Sequence, residues 1–262
     1  MTASLPGVGS IDTIVCDIDG VVVLGGEPIE GAGEALQRFS QAGMRVLFVT
    51  NNSTKSPATI ADRLTRLVGF ETREENVINS GAATARFIAD KVDCVYVLGT
   101  DGLRDTLRSA GIDVTTDWRE ADAVVSGLDF SLSYESFVGA TLAVQHGATF
   151  YATNIDATYP AKEGQYPGAG AISAVVERAT GQTPIVCGKP HLPMRRMLEG
   201  FGGNPLIVGD RPETDIALGK EEGWGTVRVL TGVTSDPESV PAVYRPDAVV
   251  NSLAELPDLL GM

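Results

Sequence analysis

The sequence predicts an α/β fold built on a doubly wound parallel sheet. Short β-branched runs alternate with amphipathic segments along nearly the whole chain, and polar residues able to do chemistry follow several of those runs directly. The apolar residues within the runs are almost uninterrupted, as in a parallel sheet covered on both faces. Strand–helix alternation on this scale implies crossover connections between parallel strands. With 262 residues, 43% of them hydrophobic and 21% charged, the chain can bury a sizeable core without disulfides or a structural metal. Length allows one large domain or two modest ones.

The expected strands, in order, are 13–16 (TIVC), 46–49 (VLFV), 95–98 (VYVL), 206–208 (LIV) and 227–230 (VRVL). Helical patterns lie between them at 33–41, 57–67, 102–109 and 134–145. Ser56-Pro57 has the form of an N-cap followed by proline at the first helical position, and Ser252 with Glu255 fits a capping box. Glycines gather at Gly25-Gly26, around 164–170 and at Gly202-Gly203, and the first two groups read as hinge or flap positions. No repeat and no linker composition marks a boundary, which favours an inserted domain over two domains in series. His146, beside Gly147 at a predicted helix end, reads as a partner of the helix dipole.

The charge balance narrows the class of function. Against 20 Lys and Arg stand 34 Asp and Glu, a net charge of -14, which argues against a nucleic-acid or anionic-membrane surface. No apolar run approaches the roughly 18 residues of a membrane-spanning helix. Residues 1–10 lack the positive end and apolar stretch of a signal peptide and read as a short leader. An odd number of scattered cysteines, Cys16, Cys94 and Cys187, suits a reduced cytoplasm.

Candidate chemistry sits at the strand ends, where a doubly wound sheet binds its ligands. Asp17-Ile18-Asp19-Gly20 ends the first strand, and Gly20 lets the chain turn so that both carboxylates reach the mouth; two polar residues opening a surface turn would look the same. Thr50-Asn51-Asn52 ends the second, ahead of a helix whose free N–H groups can hold an anion, although Asn and Thr are also ordinary turn formers. Val186-Cys187-Gly188-Lys189-Pro190 sets a lysine beside a rigid turn, and Gly209-Asp210-Arg211-Pro212-Glu213-Thr214-Asp215 puts an acid at a strand end and another in the next turn. Each is weak alone, since a lone lysine is often merely solvated and Asp215 suits a helix start. As an ordered set they describe a hard-cation site beside an anion site. Mg²⁺ takes oxygen ligands and keeps several waters, and a phosphoryl group would meet the cation, the lysine, the threonine and backbone N–H groups while an aspartate attacks phosphorus.

The set Asp17-Ile-Asp19-Gly-Val, Thr50-Asn-Asn, Gly188-Lys189-Pro190 and Gly209-Asp210-Arg-Pro-Glu-Thr214-Asp215 resembles the four motifs of the haloacid dehalogenase superfamily, specifically its NagD-like phosphatases of class IIA. The segments Ala152-Thr153-Asn154-Ile155-Asp156 and Tyr166-Pro167-Gly168-Ala169-Gly170 resemble that subfamily's cap. The resemblance covers nearly the whole chain. It implies a Rossmann-like core, residues 1–88 and 184–262, with a smaller α/β cap inserted at 89–183. Asp17 would be the nucleophile and Asp19 the acid/base that serves the leaving alcohol and then the hydrolytic water. Mg²⁺ would be held by the Asp17 carboxylate, the Asp19 carbonyl and Asp210, with Asp215 ordering the metal's waters or Lys189. Thr50, Asn51 and Lys189 would hold the phosphoryl group, Asn154 and Asp156 would choose the substrate, and Arg211 would either face it or pair with Glu213. Caps of this kind often dimerise in relatives, so a homodimer is implied as an option.

Two departures from the family's pattern stand out. Val21 replaces a common threonine, a change the subfamily tolerates, and His191-Leu192-Pro193 follows Gly-Lys-Pro, where His191 either contacts substrate or simply opens a helix. The expected activity is Mg²⁺-dependent hydrolysis of small phosphomonoesters such as sugar phosphates, glycerol phosphate, phosphoglycolate or nucleoside monophosphates. The alternatives are a phosphoacceptor on Asp17 without turnover, against which stand Asp19 and the cap, and another phosphoryl-transfer member of the superfamily such as a phosphomutase. A dinucleotide-binding role would rest on 168–173 alone, which lacks the strand–turn–helix setting. A phosphonate-cleaving relative would want a Schiff-base lysine in the cap, and neither Lys91 nor Lys162 has a suitable setting.

Overall fold

The computed structural model of the chain describes residues 11–161, 163–232 and 240–262. The leader expected at 1–10 and Lys162 lie outside the described residues. In chain order the elements are β1 (Thr13–Cys16), β2 (Val23–Leu24), β3 (Glu27–Pro28), α1 (Ala32–Gln41), β4 (Arg45–Thr50), α2 (Pro57–Val68), β5 (Val77–Asn79), α3 (Ser80–Ile88), β6 (Cys94–Leu98), α4 (Asp101–Ser109), β7 (Asp113–Thr115) and β8 (Ala123–Ser126). They continue with α5 (Tyr134–Gln145), β9 (Thr149–Ala152), β10 (Thr158–Ala161), β11 (Gly164–Pro167), α6 (Ala169–Thr180), β12 (Ile185–Val186), α7 (Leu192–Leu198), β13 (Pro205–Gly209), α8 (Ala217–Glu222), β14 (Gly225–Val229), β15 (Ala248–Val250) and α9 (Leu256–Leu259). All five expected strands and all four expected helices are present, within a few residues at their ends.

The chain divides into two compact units, one of 1–50, 58–78 and 198–262 and the other of 51–57 and 79–197. In the first, six strands lie in the order β15-β14-β13-β1-β4-β5, with parallel pairing from β15 through to β4. This is the Rossmann-like doubly wound sheet. Ile14 and Cys16 face a core with Leu36 and Phe39 of α1, Phe48 of β4 and Leu253 near the C-terminus. Val15 faces the other way, in register with Leu47 and Ile207, and all three are buried. Burial on both faces is why these strands read as unbroken apolar runs. From β1 the chain steps outward to β4 and β5, then returns on the other side of β1 with β13. That reversal puts the topological switch point between β1 and β13, where ligands of such sheets bind.

The second unit carries its own parallel sheet in the order β12-β9-β8-β6-β7, with β10 and β11 paired as an antiparallel hairpin. Val95, Val97 and Val125 pack on Ala85 and Ile88 of α3 and on Leu103 and Leu107 of α4. On the opposite face, Leu98 and Val124 pack on Ala140 and Ala143 of α5 and on Ile172 and Val176 of α6. Because the apolar stripe of α3 meets β6 and β8, that helix belongs to this unit. Its start is capped by Asn79, whose side chain accepts the Ala82 N–H at 2.7 Å.

Several local expectations resolve here. Gly25 and Gly26, both in the left-handed region (φ 60 and 97), form the two-residue turn of the β2–β3 hairpin, as a primed turn requires. His146 ends α5 with Nδ1 2.8 Å from the Leu142 carbonyl, its ring centroid 4.8 Å from that of Trp118 and tilted 46° to it. The capping box expected at Ser252 does not form. Glu255 instead accepts the Asn251 N–H at 2.9 Å and its side-chain amide at 2.8 Å, closing the turn one residue earlier.

All three cysteines are free thiols. Burial pushes the Cys187 thiol from 9.0 up to about 11. The folded chain therefore keeps that proton in a range where the unfolded chain loses it, and stability falls as pH rises from 9 towards 11. Urea unfolding across this range should show the decline in the wild-type chain and a shallower one in Cys187→Ala.

Candidate functional site

In the first unit the switch point is lined by acids. Asp17 follows β1, and its N–H donates to the Val208 carbonyl at 2.9 Å, which carries the β1–β13 ladder one residue further. The chain then turns tightly, with the N–H groups of Val22 and Val23 donating to the Ile18 carbonyl at 2.9 and 3.0 Å. Gly20 stands at φ 90, and a Cβ there would lie 2.7 Å from Asp210 Oδ2. The glycine of the D-x-D-G run thus serves both a left-handed turn and a close approach. Asp19 is half-buried and pairs through its backbone with Val23. Thr50, at the end of β4, is buried.

Across the switch point, Asp210 follows β13. A π-helical turn, Pro212–Ile216, comes next and buries Asp215; such turns often mark functional sites. The Arg211 N–H donates to Asp215 Oδ2 at 3.1 Å, and the Asp215 N–H returns to the Arg211 carbonyl at 3.0 Å. Two glycines make room for these carboxylates. A Cβ on Gly209 would sit 2.1 Å from Asp215 Cβ, and one on Gly232 would sit 2.0 Å from Asp210 Oδ2. Thr231 Oγ1 donates to the Gly20 carbonyl at 2.6 Å and ties the end of β14 to the turn after β1.

Asp17, Asp210 and Asp215, all buried, each offer an oxygen within 4.8 Å of the others. Carboxylates held this close repel one another, and a cation among them offsets that repulsion. The donor set is all hard oxygen, in a space kept clear by Gly20 and Gly232, and therefore fits a Mg²⁺-type ion. Asp215 sits with the other two acids as a direct member of the group. The role of Gly232 was not singled out in the sequence; a Thr-Gly pair directly after a strand was its one signal.

In the second unit Asn51 is a hub. Its Oδ1 accepts the Lys189 N–H at 2.7 Å, while Nδ2 lies 3.4 Å from the Lys189 carbonyl and 3.3 Å from Asp156 Oδ1. The Asn51 carbonyl accepts Asn154 Nδ2 at 2.7 Å and Ser80 Oγ at 2.6 Å, and Asn154 Oδ1 accepts the Asp156 N–H at 3.0 Å. Gly188 allows this, since a Cβ there would lie 2.5 Å from Asn51 Oδ1. The structure therefore brings together Asn51, Asn154, Asp156 and Lys189, with the Asn51 and Asn154 amides engaged inside the unit. Lys189 is buried, and His191 donates its N–H to the Gly188 carbonyl at 2.8 Å just ahead of α7.

Comparison with known proteins gives this arrangement its context. The profile described as Haloacid dehalogenase-like hydrolase matches residues 14–113, and an HAD-hydrolase-like profile matches 186–256. An acid sugar phosphatase of Staphylococcus aureus is 37% identical over 250 residues, 92% of this chain and 96% of its own length. The chain belongs to the haloacid dehalogenase-like hydrolase family. Among solved structures of the family, NagD from Escherichia coli matches with a TM-score of 0.83 at 32% identity, covering 94% of this chain and 98% of its own. A glycerol phosphate phosphatase of Mycobacterium tuberculosis, in complex with magnesium, matches with a TM-score of 0.86 at 33% identity, covering 95% of this chain and 77% of its own. These neighbours place the chain in the NagD-like class IIA branch of the family.

A ligand that binds only the folded chain raises its melting temperature. Millimolar MgCl₂ should do so here, and Gly232→Ala, which drives a methyl group into the Asp210 carboxylate, should lose most of the rise. Differential scanning fluorimetry with and without EDTA measures both.

Proposed function

We propose that this chain is a Mg²⁺-dependent phosphatase that hydrolyses small phosphomonoesters through an aspartyl-phosphate on Asp17. One observation carries the reading: at the switch point of a Rossmann-like sheet, three buried carboxylates converge within 4.8 Å, and the first directly follows β1. The sugar and glycerol phosphate phosphatases among its relatives support it.

In this reading a carboxylate oxygen of Asp17 attacks phosphorus and the bond to the leaving oxygen breaks. Asp19, two residues on along the turn, gives that oxygen its proton and then takes one from the water that cleaves the aspartyl-phosphate. A single group can do both because the two steps run in opposite directions. Asp17, the Asp19 carbonyl and Asp210 would hold Mg²⁺, with Asp215 beside them. The bound ion supplies positive charge that offsets the repulsion between nucleophile and phosphoryl oxygens. Thr50, the Asn51 N–H and Lys189 hold the phosphoryl group, and Asn51 and Asn154 act chiefly by fixing the backbone that carries Lys189 and Asp156. Asp156 and Arg211 meet the remainder of the substrate.

Residues 89–183 act in this proposal as the cap of a core formed by 1–88 and 184–262. A cap that excludes water also excludes bulky phosphoproteins, so the substrates are metabolites. Among the described residues no helix is long and apolar enough to cross a membrane. The cytoplasmic setting and a homodimer through the cap belong to the same proposal.

Asp17→Asn should lower kcat for p-nitrophenyl phosphate by at least about 10⁴-fold with an unchanged circular dichroism spectrum. Retained activity would remove Asp17 as nucleophile. Phosphate release by the wild-type chain should continue over many turnovers, whereas one stoichiometric burst would favour the phosphoacceptor alternative. A panel of phosphorylated metabolites ranked by kcat/KM identifies the substrate.

A further inference from the structure

Arg228 is a charged residue where the fold calls for an apolar one. It lies on β14, between β13 and β15 in the six-stranded sheet, and is 1% exposed, among the largest fully buried side chains of the chain. Taking a guanidinium out of water is unfavourable unless acceptors and opposite charge receive it. Its neighbours on β14, Val227 and Val229, project to the opposite face and belong to the apolar core there, so packing on that face does not require the charge.

The surroundings supply a purpose. Arg228 Nε donates to the main-chain carbonyl of Asp210 at 3.3 Å. Arg228 is also the register partner of Gly209 across the β13–β14 pair, and partners on adjacent parallel strands project to the same face of a sheet. The space that a Gly209 side chain would fill is taken by Asp215, whose Cβ, Cγ and Oδ2 would all lie within 2.4 Å of such a Cβ. Arg228 and Asp215 therefore share one face, immediately behind the cluster of Asp17, Asp210 and Asp215. A buried cation there does two things. It fixes the peptide unit from which the Asp210 carboxylate projects, and it offsets the mutual repulsion of acids held close in a low dielectric.

We infer that Arg228 is a positioning residue for the metal-binding carboxylates, holding Asp210 and Asp215 in the arrangement that receives the divalent ion. This rests on the proposed Mg²⁺ site, and loss of outer partners of metal ligands lowers affinity by about 10–100-fold. The probe is MgCl₂ binding to the full chain by isothermal titration calorimetry, paired with a thermal melt. Arg228→Met keeps the bulk and removes the charge, and it should raise the Mg²⁺ dissociation constant about tenfold while melting cooperatively. Arg228→Lys keeps the charge but cannot repeat the Nε contact, and should fall between the two. The loss in kcat/KM at low Mg²⁺ should be recovered as Mg²⁺ is raised.

A merely structural arginine would move the melting temperature and leave the dissociation constant alone. A folded Arg228→Met with wild-type Mg²⁺ affinity overturns the inference and leaves the phosphatase reading intact. If Arg228→Met does not fold, Arg228→Lys decides, and wild-type affinity there overturns the inference equally. A wild-type chain that binds no Mg²⁺ overturns the phosphatase reading, and this inference with it.

Discussion

Mutual repulsion between buried carboxylates is the constraint around which the first unit is organised. Asp17, Asp210 and Asp215 meet within 4.8 Å at the switch point, where open parallel sheets bind their ligands. Unbroken apolar strands bring the first two there, because β1 and β13 are neighbours and each ends in an acid. Glycines 20, 209 and 232 let carboxylates approach where any side chain would collide. The π-helical turn at Pro212–Ile216 delivers the third acid from beyond the strand. Together these features hold an arrangement that favours a hard cation.

Charge of the opposite sign is scarce and correspondingly well placed. The chain carries a net charge of -14, so a phosphorylated ligand approaches against the overall field, and any anion site must be locally positive. Two cations among the 20 Lys and Arg are buried in ways that bear on this: Arg228 behind the acids of the first unit, and Lys189 in the second. Lys189 is gripped through its backbone by Asn51, and the proposal assigns its side chain the phosphoryl contact. Most of the acidic surplus is solvated surface and says nothing about the substrate.

Asn51 ties together residues distant in the chain through its own side chain. A Thr-Asn-Asn run after a strand suggested amide donors for an anion, whereas the amide is engaged with Lys189 and Asp156. Asn154, singled out for substrate choice, is likewise bonded to Asn51 and to the Asp156 backbone. Polar groups this deeply buried need internal partners, and here the partners are the other residues of the proposed site. Substrate choice through Asp156 and phosphoryl binding through Lys189 would on this basis be coupled by one asparagine.

How much of this was legible from sequence follows from what is local and what is not. The alternation of TIVC, VLFV and LIV with amphipathic helices determined a doubly wound sheet, because strand burial on two faces writes itself into consecutive residues. The motifs around Asp17, Asp210 and Lys189 were readable because chemistry at a strand end needs particular residue types within a few positions. The failed capping box at Ser252 shows the limit even locally, since Glu255 had a nearer partner in Asn251. Helix α3 joined the second unit because its apolar stripe meets β6 and β8, strands that follow it in sequence. The engagement of Asn51 by a lysine at position 189, the direct presence of Asp215 among the acids and the charge of Arg228 behind them were decided only by tertiary structure. Each depends on a contact between strands or loops far apart in the chain, and no local pattern records which distant backbone will arrive to receive a side chain.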